Sequence, residues 1–131
     1  MKPFHITRRS IVVALTLFTA AAFPAQAQQY PSKPIRLVLP YLGGAEFVGR
    51  WVSLKVSPGL GQQMVVDPRV GAGGNIGHEH VAKSPPDGYT LMMTSPPVVI
   101  NPHLQKVNYD PLKDYAPVAL VATLPNVLAV H

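Results

Sequence analysis

The 131 residues contain no cysteine, which excludes a disulfide framework, a thiolate metal site and a cysteine nucleophile together. Acids are scarce as well: six Asp and Glu, scattered singly. No Gly-x-Ser-x-Gly elbow occurs, and no histidine and acid fall into a triad order, so catalysis has no visible machinery. Repeats and low-complexity segments are also missing. Eleven Lys and Arg give a formal charge of +5, but three of them crowd into the first nine residues and the remainder is nearly balanced. Without a basic cluster interleaved with aromatics, nucleic acid is not an expected partner.

What is present begins with an address. Lys2, Arg8 and Arg9 precede an uncharged apolar run from Ile11 to Ala22, and Ala25-Gln26-Ala27 offers a small-x-small cleavage site. These are the three parts of a secretory signal peptide over residues 1–27. The run is shorter than the ~20 residues of a membrane-spanning helix, so a removable leader is expected rather than an anchor. Thr7-Arg8-Arg9-Ser10-Ile11-Val12 also resembles a twin-arginine signal, and the general secretory and twin-arginine routes both stay open.

Residues 28–131 have room for one small domain. A polar lead-in from Gln28 to Pro34 is followed by a buried strand, Ile35 to Leu39, closed by Pro40. After Gly43-Gly44, the apolar spacing of Phe47, Val48, Trp51, Val52, Leu54 and Val56 predicts a helix from Glu46 to Ser57, ended by Pro58-Gly59. Trp51 is expected in the core. Met64 to Val66 reads as a second strand, Gly71 to Gly77 as a glycine loop opening a helix to about Lys83, and Thr90 to Thr94 as a third strand. A helical turn over Val98 to Leu104 and strands at Val118–Ala122 and Val127–Val130 complete the pattern. Alternating strands and helices imply an α/β fold with parallel strands joined by crossovers. The last strand runs into His131 without a cap, so the chain is expected to be incomplete.

The glycine loop follows a strand and opens a helix, where an anion is favoured by backbone amides and the helix dipole. Its spacing, Gly-x-Gly-x-x-x-Gly after the second strand, does not fit a dinucleotide fingerprint, and no cofactor is expected. Glycines serving only close strand-to-helix packing are the plainer reading. His78-Glu79-His80 suggests a metal, but on a helix residues two apart diverge by about 200°, so an exposed face is expected and no metal site.

Tyr30-Pro31-Ser32-Lys33-Pro34-Ile35-Arg36-Leu37-Val38-Leu39-Pro40-Tyr41, Gly71-Ala72-Gly73-Gly74-Asn75-Ile76-Gly77, Pro86-Asp87-Gly88-Tyr89-Thr90-Leu91, Ile100-Asn101-Pro102 and Tyr109-Asp110-Pro111 appear in order. Together they resemble the substrate-binding proteins of tripartite tricarboxylate transporters, the Bug family. The resemblance implies a type II periplasmic-binding-protein-like lobe, a parallel-rich sheet with flanking helices, incomplete here and lacking its second lobe. It further implies a periplasmic receptor that binds a small organic carboxylate and presents it to a membrane permease. Carried across, the ligand contacts are Tyr41, Gly43 and Gly44 after the first strand, Gly74 and Asn75 at the helix start, and Ser95 after the third. The chain departs from the family after the first strand, reading Gly43-Gly44-Ala45-Glu46-Phe47 in a shortened loop where relatives place a Thr-Asp pair. A single lobe is expected to hold carboxylates weakly. Two other readings remain at this point: an exported module pairing through an exposed sheet edge, and an enzyme using the glycine loop for a nucleotide or phosphate.

Overall fold

In a computed structural model the described residues are 29–123. The signal peptide expected over residues 1–27 and the strand expected at Val127–Val130 lie outside them. Three strands, β1 (Ile35–Leu39), β2 (Met64–Pro68) and β3 (Thr90–Met92), form one parallel sheet in the order β2-β1-β3. Ile35 stands opposite Met64 and Leu39 opposite Pro68, while Arg36 and Val38 stand opposite Thr90 and Met92. β1, the most apolar strand, takes the centre, where both of its faces are covered; a parallel strand in that position must be apolar almost throughout. Only Arg36 in it is exposed.

Helices α1 (Gly44–Leu60), α2 (Asn75–Ala82) and α3 (Pro97–Leu104) each follow a strand. The connection from β1 to β2 runs one way along the sheet and that from β2 to β3 runs back past β1. With right-handed crossovers this sets α1 and α2 on opposite faces. Alternation along β1 agrees. Leu39 meets α1, since a Cβ on Gly49 would come 2.9 Å from a Leu39 methyl. Pro40, on the other face, meets α2 at Gly77.

Under α1 the core is apolar: Ile35, Leu37, Leu39 and Met64 are buried, and Val52, Leu60, Val66, Leu91 and Met93 pack around them. The inward line of α1 is built from small residues. Gly49 and Ser53 are buried, Ser53 Oγ donates to the Met64 carbonyl, and Met64 N–H donates to Ser57 Oγ at 2.9 Å. These bonds fix the rotation of the helix, so Trp51 faces out, 55% exposed, with the Lys55 ammonium 5.9 Å from its ring centroid. The expectation of a core tryptophan is thereby corrected.

The helix also outruns Pro58, ending at Leu60, because proline in a last turn sacrifices only one bond. Gly61, at φ 65°, forms the left-handed cap. The strand expected over Val118–Ala122 is not formed: these residues carry no strand pairing, and Val118 and Leu120 are each 81% exposed. Apolar sequence alone does not make a strand, whose preference is set by the neighbours it packs against.

Candidate functional site

In a parallel sheet every helix begins at the carboxyl end of the preceding strand, so the starts of α1, α2 and α3 gather at one end. The order β2-β1-β3 places the topological switch between β1 and β3, where open α/β sheets hold their ligands. Tyr41 follows β1 at this point; Thr94 and Ser95 follow β3.

The three helix starts differ in the amides they offer. None has a side-chain cap. At α3, Pro97 has no N–H, and the amides of Val98 and Val99 are spent on Ser95 O and Pro96 O. At α2, a 3₁₀ turn over Ala72–Gly74 precedes the helix, Gly74 N–H donates to Gly71 O at 2.9 Å, and Asn75 N–H donates to Ala72 O. The glycine loop thus spends the amides of Gly74 and Asn75 on its own carbonyls, and those two are not offered to a nucleotide or phosphate. At α1, Gly43 has φ 79° and no neighbouring atom within 4 Å of where a Cβ would stand at Gly43 or Gly44. The first-turn amides of a helix have no partner within it, so this is the start that opens outward.

Behind the strand tips lies a polar cluster centred on His78, which is fully buried. Its Nε2 is 2.9 Å from Thr94 Oγ1 and 3.3 Å from the Tyr41 hydroxyl, and its Nδ1 is 3.2 Å from the Tyr109 hydroxyl. The rings of Tyr41 and Tyr109 stand edge-on to the imidazole at 5.8 and 5.3 Å. Tyr109 donates to Asn75 Oδ1 at 3.1 Å, as does Asn101 Nδ2 at 2.7 Å; Asn101 Nδ2 also donates to the Gly73 carbonyl at 2.9 Å. Tyr115 donates to the His78 carbonyl at 2.8 Å.

The expectation that His78-Glu79-His80 forms an exposed face is corrected at His78. Gly77 lets α2 approach until a Cβ there would stand 2.8 Å from Arg69 O and 3.0 Å from Pro40 Cα. So close an approach carries the next residue beneath the strand tips. Glu79 keeps to the surface, paired with Lys83.

Burial sets the electrostatics. It lowers the His78 imidazole below its ordinary value, so the ring is neutral near pH 7. It raises the Tyr41 phenol, with the Thr94 and Ser95 hydroxyls pulling the other way. Tyr109 and Tyr115 are raised as well, first by burial.

Of the six expected contacts, four meet in this cluster. Tyr41 lies against Gly74, where φ is 91° and a Cβ would come within 2.5 Å of the ring. Asn75 spends its side-chain oxygen on Asn101 and Tyr109, and the Ser95 hydroxyl neighbours the Tyr41 phenol. Gly43 and Gly44 stand outside the cluster, exposed. Sequence reasoning missed the roles of His78, Thr94, Asn101 and Tyr109. The available signal was an asparagine inside the apolar run Val98-Val99-Ile100-Asn101, which a short helix buries only to satisfy another polar group.

Residues 48–131 match the Tripartite tricarboxylate transporter family receptor. The UPF0065 protein of the tcbD-tcbE intergenic region of Pseudomonas sp. (strain P51) is 39% identical over 131 residues, covering 96% of this chain and 39% of the relative. Among solved structures, MatC from Rhodopseudomonas palustris with bound malate superposes at a TM-score of 0.62 and 30% identity, over 70% of this chain and 33% of MatC. A second R. palustris protein, solved with adipate, gives a TM-score of 0.51 at 35% identity, over 53% of this chain and 24% of its own. The chain therefore spans about two fifths of the length of the curated relatives it matches. The resemblance read between Tyr30 and Pro111, the parallel sheet and these matches agree: the chain belongs to the tripartite tricarboxylate transporter family of receptors.

Proposed function

We propose that the chain supplies one wall of a periplasmic binding site for small organic dicarboxylates and acts as a receptor without catalysis. The ligand would pass from it to a membrane permease. The observation that carries this reading is the overlap with MatC holding malate, a dicarboxylate, on a sheet whose switch point lies between Tyr41 and Ser95. The amides of Gly43 and Gly44 are the proposed carboxylate donors, assisted by the positive end of α1, with the Ser95 hydroxyl opposite. Tyr41 closes the side of the site, and Gly74 with Asn75 shapes its floor. Residues 1–27 would direct export. No helix among the described residues is long and apolar enough to cross a membrane.

The 131-residue chain by itself would bind weakly. Gly43 and Gly44 are exposed, and a carboxylate there remains hydrated, where charge contacts are screened. In a ¹⁵N-resolved NMR titration of the chain without residues 1–27, malate and adipate should move the amides of Gly43, Gly44 and Ser95 at millimolar concentration. A neutral diol of equal length should not. Calorimetric affinity in the micromolar range would overturn the one-walled account. Shifts confined to residues away from the strand tips would overturn the site.

A further inference from the structure

The hydrogen atoms of the polar cluster can be placed one after another from a single fixed point. The Gly73 carbonyl is only an acceptor, so the Asn101 atom 2.9 Å from it is the amide nitrogen. That nitrogen turns its second hydrogen to Asn75, 2.7 Å away, which must therefore present its oxygen. The Tyr109 hydroxyl, 3.1 Å from the same oxygen, spends its one hydrogen there. Its own oxygen can then only accept, and the neighbour at 3.2 Å is His78 Nδ1. Nδ1 consequently carries the proton. A neutral imidazole protonated at Nδ1 has a bare Nε2, and the groups facing Nε2 are the hydroxyls of Thr94 at 2.9 Å and Tyr41 at 3.3 Å.

We propose that His78, held in its Nδ1–H tautomer by this relay, is a positioning residue whose single Nε2 lone pair takes the hydroxyl hydrogen of its nearer partner, Thr94. The Thr94 oxygen is left as an acceptor toward the ligand, so the site prefers an acid carrying a hydroxyl donor over the plain diacid. The inference deepens the dicarboxylate reading and rests on it. A bare carboxylate gains nothing from an oxygen whose hydrogen points away. A 2-hydroxy acid donates to it while its carboxylate keeps the α1 amides. Two arms of the site meet in one ring: Tyr41 and Thr94 on the Nε2 side, and Tyr109, Asn75 and Asn101, which brace the glycine loop, on the Nδ1 side. The ring's partners among the described residues are hydroxyls, with no carboxylate in contact, so nothing there favours the doubly protonated form.

Long-range ¹H–¹⁵N spectra of the chain at pH 7.5 read the tautomer directly. The expected result is a protonated-type Nδ1 and a pyridine-type Nε2 for His78. The reverse pattern, or two averaged nitrogens, overturns the proposal without reference to any ligand. Tyr109→Phe removes the acceptor of the Nδ1 proton and should move the ring toward the Nε2–H form, a change that loss of packing alone would not produce; an unchanged tautomer in this variant overturns the relay. Should the variant not fold, the wild-type spectra and the ligand comparison still decide. In that comparison malate should bind about threefold tighter than succinate, the scale of one net hydrogen bond, and Tyr109→Phe should abolish the preference. Equal response of the Gly43, Gly44 and Ser95 amides to both acids would overturn the positioning role and leave the dicarboxylate reading standing. No response to either would end that reading while the tautomer result stood.

Discussion

The two faces of this small sheet are closed by different chemistry. Under α1 the contact is between apolar side chains: Leu37, Leu39 and Met64 against Val52 and Leu60, with two serines stitching the helix end to β2. Under α2 it is a chain of hydrogen bonds through His78, and Gly77 brings backbone against backbone. An apolar face gains stability in proportion to area and tolerates small shifts. A buried polar face is stable only with every partner in place, because each unmade bond strands a desolvated group. No buried side-chain polar atom among the described residues lacks a partner. The first face holds the sheet together; the second fixes where its loops point.

That contrast can be broken at either face. Leu39→Ala, which empties the centre of the apolar side, should show the largest effect, a loss of about 3 kcal/mol in urea unfolding. Gly77→Ala should follow at about 2 kcal/mol, since the new methyl meets the Arg69 carbonyl and Pro40 Cα, neither of which can rotate aside. Gly49→Ala is its counterpart under α1. There the methyl meets only the end of the Leu39 side chain, and the gain in helix propensity offsets the repacking, so stability should stay within about 1 kcal/mol of wild type.

A pH comparison separates the faces further. The folded His78 is lowered below its unfolded value by burial, and His80 is lowered too, again chiefly by burial. The unfolded chain therefore takes up protons first. The stability from these groups is complete above the unfolded histidine value near pH 6.5 and declines as pH falls below it. Glu79, Asp87 and Asp110 are lowered carboxylates and act only in stronger acid. The urea midpoint should thus drop between pH 7.5 and 5.5, and His78→Gln should flatten most of that drop while Leu39→Ala leaves it unchanged. Smallest of all, Trp51→Gln on the outward side of α1 should alter stability by no more than about 0.5 kcal/mol.

The same division explains what could be read in the sequence. β1, β2, β3 and the helices between them announce themselves through apolar runs and through Gly43-Gly44 and Pro86-Asp87-Gly88, because burial and turn geometry act locally; Pro58-Gly59 marked the end of α1 short of its last residue, Leu60. The rotation of α1 could not be read, since it is decided by Ser53 and Ser57 reaching β2, not by its largest side chains. His78 was illegible for a similar reason. Its surroundings come from Tyr41, Thr94 and Tyr109, far apart in the chain, and only Gly77 hinted that α2 would lie close. The stretch at Val118 had strand-like composition, yet it pairs with neither β2 nor β3. Gly43 and Gly44 were legible as the connection between β1 and α1, whereas the inward turn of the Gly74 and Asn75 amides depended on a 3₁₀ turn that no residue pattern signalled.

The strand order also governs how the fold can assemble. Ile35 to Leu39 is made first yet ends in the middle, its two neighbours arriving only with Met64 and then Thr90. Until then the most apolar stretch of this sheet has no partner, and parallel pairing over such separations is slow. A newly made chain accordingly holds this stretch without its sheet partners until Met64 and then Thr90 have been made, and that delay is written into the position of one strand.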